Sequence, residues 1–216
     1  MTTTLRVHEV FHSLQGESSH AGRRCVFIRL TGCNLRCAWC DTKEAYEGGD
    51  ERTVDGLVAE AVQYGCSLVE VTGGEPLLQP GALTLLRRLC DEGLEVLLET
   101  NGARPTAGVD PRVTTILDIK CPSSGEATRM IWDNLAHLRP RDEVKFVLAD
   151  RNDYRYACQV MARHGLLGRS VPPLLSAVWG RLEPATLARW VLEDRLDVRV
   201  QVQLHKVIWG PDARGV

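Results

Sequence analysis

CVFIRLTGCNLRCAWCDT, residues 25–42, decides how this chain is read: an apolar run, CVFIRL, leads directly into three thiols, Cys33, Cys37 and Cys40, spaced C-x3-C-x2-C. The apolar run reads as a strand. Three thiolates hold three irons of a 4Fe-4S cluster and leave the fourth iron open to a ligand that is not protein. Structural zinc closes four ligands, from two C-x2-C pairs or a Cys/His mixture, and ferredoxins supply a fourth cysteine to each cluster. Neither pattern is present, so the triplet points to an open site and hence to chemistry.

The other five cysteines, Cys25, Cys66, Cys90, Cys121 and Cys158, are scattered singly, several in apolar surroundings, and read as small buried hydrophobes. With 216 residues and 44% hydrophobic content the chain buries a core without a disulfide framework, so its thiols indicate a reducing compartment. MTTTLRVHEVF opens without a basic stretch and apolar h-region, and apolar residues nowhere run long enough to span a bilayer. A soluble, cytoplasmic protein is expected. The net charge of −2, with Lys and Arg spread along the chain, gives no nucleic-acid footprint.

Further runs rich in Val, Ile and Leu occur at SLVEVTG, EVLLET, TTILDIK, EVKFVLAD, PPLLSAV and VRVQVQLH. Between several of them lie helical patterns: VDGLVAEAVQYG stopping at Gly65, GALTLLRRLCDEG at Gly93, YRYACQVMARHG, and EPATLARWVLED. This alternation predicts an α/β fold with parallel strands, helical crossovers and functional residues at the strand C-terminal ends. There is no linker, repeat or low-complexity segment, so residues 1–216 are expected to form one domain.

VEVTGGEPLLQ passes from a strand through two glycines, an acid and a proline into a helix. Gly73 and Gly74 would let backbone approach a ligand closely. By itself the segment is equally an ordinary capped strand-to-helix turn, but beside the cysteine triplet the functional reading prevails.

C-x3-C-x2-C after one strand and Thr72-Gly73-Gly74-Glu75-Pro76 after the next resemble the radical S-adenosylmethionine (SAM) superfamily. That resemblance implies that SAM chelates the open iron of a 4Fe-4S cluster on Cys33, Cys37 and Cys40, and that the Gly73-Gly74-Glu75 turn binds its amino group. The chain is short for eight units, so the implied fold is a partial (β/α)6-type TIM barrel of about six strands, with some helices missing or abbreviated.

The ordered set VHEVFHSLQGESSHAGRRCVFIRLTGCNLRCAWCDT, TGGEPLLQ, ETNG, DIKCPSSG, EVKFVLAD and QLHKVIWGPDARGV is similar to the 7-carboxy-7-deazaguanine synthase family of the queuosine-precursor pathway, from near the first residue to the last. The resemblance implies Mg-dependent ring contraction of 6-carboxy-5,6,7,8-tetrahydropterin to 7-carboxy-7-deazaguanine, with loss of ammonia and SAM regenerated. It also implies a homodimer and a flavodoxin-like or other reductant. A hard cation suits a substrate carboxylate.

By the same resemblance Gln15, Glu17, Arg29, Thr72 and the terminal carboxylate of Val216 contact the substrate, and Thr42 binds Mg2+. Lys120, Ser123, Ser124 and Ser176 join the glycine turn in binding SAM. Alone, Arg29 would be a surface strand charge, Asp41 a helix N-cap and Val216 part of a frayed tail. His205 and Lys206 read as the end of an apolar strand. Two departures from the family pattern, Ser18 in place of glycine and Leu175-Ser176-Ala177 in place of Leu-Ser-Pro, bear on the substrate lid and the SAM-contacting strand. Two other functions share part of this pattern. A glycyl-radical activating enzyme would need a surface open to a protein loop, and an iron-sulfur electron carrier would need no glycine-glycine-glutamate turn.

Overall fold

The computed structural model describes residues 2–216. Nine strands form a single sheet: β1 (Thr4–Leu14), β2 (Arg24–Leu30), β3 (Asp50–Thr53), β4 (Leu68–Gly73), β5 (Glu95–Thr100), β6 (Thr114–Asp118), β7 (Glu143–Leu148), β8 (Leu174–Ala177) and β9 (Arg199–Gln201). Their order is β3-β1-β2-β4-β5-β6-β7-β8-β9. From β2 to β9 every neighbour is parallel. β1 pairs antiparallel with β2 and β3 at the other end. The sheet has two edges and does not close, which is the partial barrel implied by the resemblance: β2 and β4 to β8 are the six main strands, and the three-residue β9 adds a seventh.

Helices α1 (Val54–Gln63), α2 (Gly81–Asp91), α3 (Arg151–Arg163) and α4 (Pro184–Asp194) occupy the four expected segments. Thr53 starts α1, its hydroxyl accepting from Gly56 N at 3.1 Å. Asp150 starts α3, its carboxylate accepting from Asn152 N at 2.8 Å and Asp153 N at 2.9 Å, so this helix begins three residues ahead of YRYACQVMARHG. No helix follows β5, and only short 3-10 turns follow β6. Among the described residues no helix is long and apolar enough to cross a membrane.

The strand period of two separates the sheet faces. Val26, Ile28, Leu30, Val69 and Val71 pack with Leu57, Val58 and Ala61 of α1 and Leu85, Leu86 and Leu89 of α2. Phe146, Leu148 and Leu175 pack likewise with Tyr154, Ala157 and Met161 of α3 and Leu187 of α4. Phe27, Arg29, Glu70, Thr72, Glu99, Asp118 and Lys145 alternate with these residues and face a common cavity.

Two elements depart from the sequence reading. VRVQVQLH pairs only over Arg199–Gln201, and Leu204–Trp209 is a helix, α5, so His205 and Lys206 are helical and do not end a strand. The cause is tertiary: Leu204 N donates to Gly16 O at 2.9 Å and Lys206 Nζ is held by Asp41 Oδ2 at 2.6 Å, which turns the chain off the sheet edge. β1, absent from the apolar runs, is the longest strand; its alternation is broken by a register shift between Val7 and Glu9.

Candidate active site

Each parallel strand delivers its C-terminal end to one rim. The loop after β2 carries Cys33, Cys37 and Cys40, all free and half-buried. Ala38 N bonds Ser124 O at 3.0 Å and Cys40 N bonds Cys37 O at 3.1 Å, so backbone contacts shape the loop. Leu35 N points at Cys33 Sγ (3.5 Å) and Asn101 Nδ2 lies 3.7 Å from it. Burial raises the Cys33 thiol above its ordinary range and pushes Cys37 up to about 11. Metal loading would therefore release protons.

TGGEP locks against this loop. Gly74 N donates to Leu30 O at 3.1 Å and Glu75 N to Gly32 O at 2.7 Å. A Cβ on Gly73 would lie 2.1 Å from Leu30 O, and one on Gly74 2.1 Å from Gly32 O. The glycines thus permit a close approach of protein to protein, not only of protein to ligand. Glu75 is fully buried, and its carboxylate accepts from Leu77 N (3.0 Å), Thr100 Oγ1 (2.8 Å) and Asn101 N (2.7 Å). Burial pushes its pKa up, against those hydrogen bonds. It ties the end of β4 to the end of β5.

A cavity of about 580 Å³ adjoins the cysteine loop and runs down the inner face of the sheet. Cys33, Cys37, Cys40, Thr42, Gly73, Gly74 and Lys120 line it, as do Gln15, Glu17, Arg29, Thr72 and Val216. Arg29 Nε donates to Glu9 Oε1 at 2.8 Å, with the guanidinium 5.7 Å over the Phe11 ring. Gln15 Nε2 donates to Glu70, and Gln15 Oε1 accepts from Glu17 N at 2.8 Å. Glu17 accepts from Lys145 Nζ and from Gln203 Nε2, both at 2.8 Å. Burial raises the Glu17 pKa, but the Lys145 ammonium and these hydrogen bonds outweigh it and the net shift is downward.

The C-terminal segment closes one side. Lys206 Nζ bonds Asp41 Oδ2 at 2.6 Å and Gln203 Oε1 at 2.7 Å, and Asp41 Oδ1 accepts from Thr42 Oγ1 at 3.3 Å. Burial would raise the Asp41 pKa, yet Lys206 brings it down to about 2. Thr42 precedes the 3-10 turn Lys43–Tyr46, but its side chain makes no capping bond. A Cβ on Gly16 would lie 2.1 Å from His205 Nδ1, so the glycine of LQGE is where α5 seats.

Glu75, Ser123, Ser124 and Ser176 are not on the cavity wall. Ser124 Oγ donates to Cys121 O at 2.6 Å, Ser123 Oγ to Asp150 Oδ2 at 3.3 Å, and Ser176 Oγ to Gln201 O at 3.4 Å. Ser124 O braces the cysteine loop through Ala38 N, and Ser123 is tied to the start of α3. Conversely, sequence reading missed Glu70, Glu99, Asp118, Lys145, Asn101 and Gln203. A signal was available for the first four: in VEV, LET, LDI and VKF a charge interrupts an apolar strand at the period of the inner face.

Burial first, and the nearby Glu99 second, raise the Glu70 pKa well above the carboxylate range. The folded state then keeps a proton that the unfolded chain loses near pH 4.3, so stability falls as pH rises above that value. Glu70→Gln removes this penalty. Its melting temperature is expected to exceed wild type by roughly 2–4 °C at pH 8 and to match it near pH 4, read by calorimetry. An equal gain at both pH values would contradict this.

The donor set fits a 4Fe-4S cluster with SAM. Among the described residues no three His, Cys, Asp or Glu side chains converge to hold a single ion. A cubane cluster makes no such demand, because each thiolate takes its own iron, and N–H groups on Cys33 Sγ are of the kind that tune such clusters. Asp118 is buried in the same wall; its Oδ2 is 2.7 Å from Lys120 Nζ, while Oδ1 has no partner among the described residues. That orphan acceptor suits a ligand rich in hydroxyl and amine donors.

Residues 27–120 match the Radical SAM superfamily model. The chain is 50% identical to the 7-carboxy-7-deazaguanine synthase of Chlorobaculum tepidum, over 98% of this chain and 97% of that protein. It is 44% identical to the 7-carboxy-7-deazaguanine synthase of Koribacter versatilis, over 98% and 100%. The crystal structure of QueE from Escherichia coli superposes with a TM-score of 0.78 at 23% identity, over 94% and 95% of the two chains, and so shares the fold.

Proposed function

The chain belongs to the 7-carboxy-7-deazaguanine synthase family of radical SAM enzymes, and from that premise we propose that it converts 6-carboxy-5,6,7,8-tetrahydropterin to 7-carboxy-7-deazaguanine with release of ammonia. One observation carries the reading beyond similarity of sequence: the three thiols and a row of inward-facing charged side chains share one cavity of about 580 Å³. That volume lies within the range of small-ligand sites.

When bound, the 4Fe-4S cluster and SAM supply a 5'-deoxyadenosyl radical that abstracts hydrogen from the substrate. The protein's residues bind, orient and exclude water. Arg29 keeps both terminal guanidinium nitrogens without a protein partner among the described residues, a fork suited to the substrate carboxylate. Gln15 and Glu17 from the loop between β1 and β2, and Thr72 from the inner face of β4, offer hydrogen-bonding groups to the ring. Gly73, Gly74, Lys120 and Asp118 lie where SAM would sit, beside the cysteine loop. Thr42, whose hydroxyl makes, among the described residues, only the 3.3 Å contact to Asp41, is the proposed Mg2+ ligand; substrate oxygens and water would complete the shell. The terminal segment Pro211–Val216 lines the cavity mouth and would cover bound substrate.

We further propose a cytoplasmic homodimer reduced by a flavodoxin-like or other carrier. The test of the function is anaerobic turnover of reconstituted protein with dithionite, SAM, magnesium and 6-carboxy-5,6,7,8-tetrahydropterin, with mass spectrometry of the product. Formation of 7-carboxy-7-deazaguanine without matching loss of SAM is the expected result. SAM cleavage with the pterin intact would sink the substrate assignment and leave the superfamily standing.

A further inference from the structure

We propose that Lys145 is a positioning residue of the substrate pocket: its buried ammonium fixes the Glu17 and Glu99 carboxylates in one arrangement and holds the Gln15–Glu17 loop against the cavity wall. This rests on the pterin reading above. Lys145 sits at mid-strand on the inner face of β7 and is 4% exposed. Its Nζ lies 2.8 Å from Glu17 Oε2, contacts Glu99 Oε1, and is 3.9 Å from Asp118 Oδ2. These carboxylates come from three separate segments: the loop between β1 and β2, the end of β5, and the end of β6. One cation therefore joins the loop between β1 and β2, which pairs with neither strand, to the ends of the neighbouring strands β5 and β6.

The chemistry favours a lysine in this place. Burial alone would drive the ammonium toward neutrality, but Glu17 and Glu99 reverse that and raise its pKa well above the ordinary lysine value. Its three donors match carboxylates arriving from different directions, where a planar guanidinium would impose one plane. Asp118 has Lys120 as its closer partner at 2.7 Å, so the Lys145 ammonium is shared chiefly by Glu17 and Glu99. The pair keeps a net negative charge facing the cavity, as acceptors for N–H donors on a heterocycle. Without Lys145, two half-buried carboxylates would repel each other, and neither would be held as the same acceptor. The loop meets β7 a second time where Ser19 N donates to Glu143 Oε2 at 3.1 Å, but neither residue is on the cavity wall; its ties at the cavity other than Lys145, Gln15 to Glu70 and Glu17 to Gln203, go to other elements.

The test compares wild type, Lys145→Met, Glu17→Gln and the double variant, each cluster-loaded and anaerobic with SAM. Equilibrium binding of 6-carboxy-5,6,7,8-tetrahydropterin is measured alongside steady-state kinetics and thermal melts. Lys145→Met is expected to weaken binding about 30-fold or more and to raise KM in parallel, while kcat changes less than about threefold. The double variant is expected to bind at least about tenfold better than the product of the two single losses requires, because both act through one contact. Binding of Lys145→Met within about threefold of wild type, or losses that simply multiply, would overturn the role. Should Lys145→Met not melt cooperatively, Lys145→Gln takes its place under the same criteria. A wild type that fails to bind the pterin would sink the functional reading itself, whereas binding that is indifferent to Lys145 sinks only this inference.

Discussion

Replacing Cys33 by alanine is expected to give a protein that melts like wild type but, after anaerobic reconstitution, holds well under half the iron and shows no measurable turnover. In the proposed ligand set three thiols are the full protein contribution to the cluster, so removing one leaves a second iron without a protein ligand. Turnover through the cluster then falls by about a thousandfold or more, to the limit of detection. Cys33 is half-buried on the cavity wall and accepts only weak contacts from Leu35 N and Asn101 Nδ2, so the apo fold loses little. The comparison that gives the result its meaning is Cys90→Ala. Cys90 is buried at the α2 core and away from the cavity, so the change should cost about 1 kcal/mol and leave iron content untouched. Iron assay and visible absorbance of both variants decide the matter. Full iron in Cys33→Ala would remove Cys33 from the cluster.

Gly74→Ala is expected to damage both stability and cluster binding, although the alteration is a single methyl group. Its Cβ would stand 2.1 Å from Gly32 O and 2.9 Å from Cys33 Cβ. Neither obstacle is the far end of a flexible side chain. Gly32 O already accepts from Glu75 N at 2.7 Å, and Gly74 N donates to Leu30 O at 3.1 Å, so the two loops separate only by breaking these bonds. Glu75 resists that movement, since its fully buried carboxylate is fixed at three points on its own turn and on the end of β5. A loss of about 3 kcal/mol is expected, a fall of roughly 6–12 °C in melting temperature for a chain of this size. Iron binding should fall with it, because the displaced backbone carries Cys33. Wild-type melting and full iron together would show that the loops part more easily than the geometry indicates.

Much of the fold was legible because local patterns and global structure agree. The cysteine loop, TGGEP, the helices closed by Gly65 and Gly93, and the apolar runs between them each state a boundary in residues adjacent along the chain. Such signals survive without tertiary information, since turn chemistry and strand and helix periods act over a few residues. The inner-face charges were half-visible: Glu70, Glu99, Asp118 and Lys145 break apolar strands at the right period, but one strand cannot tell an inner charge from an edge one.

β1 was hidden because its alternation slips at the Val7–Glu9 shift, and α5 because VRVQVQLH keeps strand-like alternation beyond the point where Leu204 and Lys206 find partners at Gly16 and Asp41. The serines show the converse limit. Ser123, Ser124 and Ser176 are assigned to SAM by resemblance, and only the structure shows that their hydroxyls also bond protein carbonyls or a carboxylate. By itself, then, the sequence located the three-thiol loop and determined the parallel αβ alternation and the family. The tertiary structure alone decided that Gly73 and Gly74 serve a loop-on-loop contact, that Lys145 meets Glu17 across 128 positions of chain, and that the C-terminal helix seats on Gly16. The division has one physical cause: periodicity and turn chemistry are written between near neighbours, whereas steric fit and the pairing of buried charges exist only once distant segments are packed together.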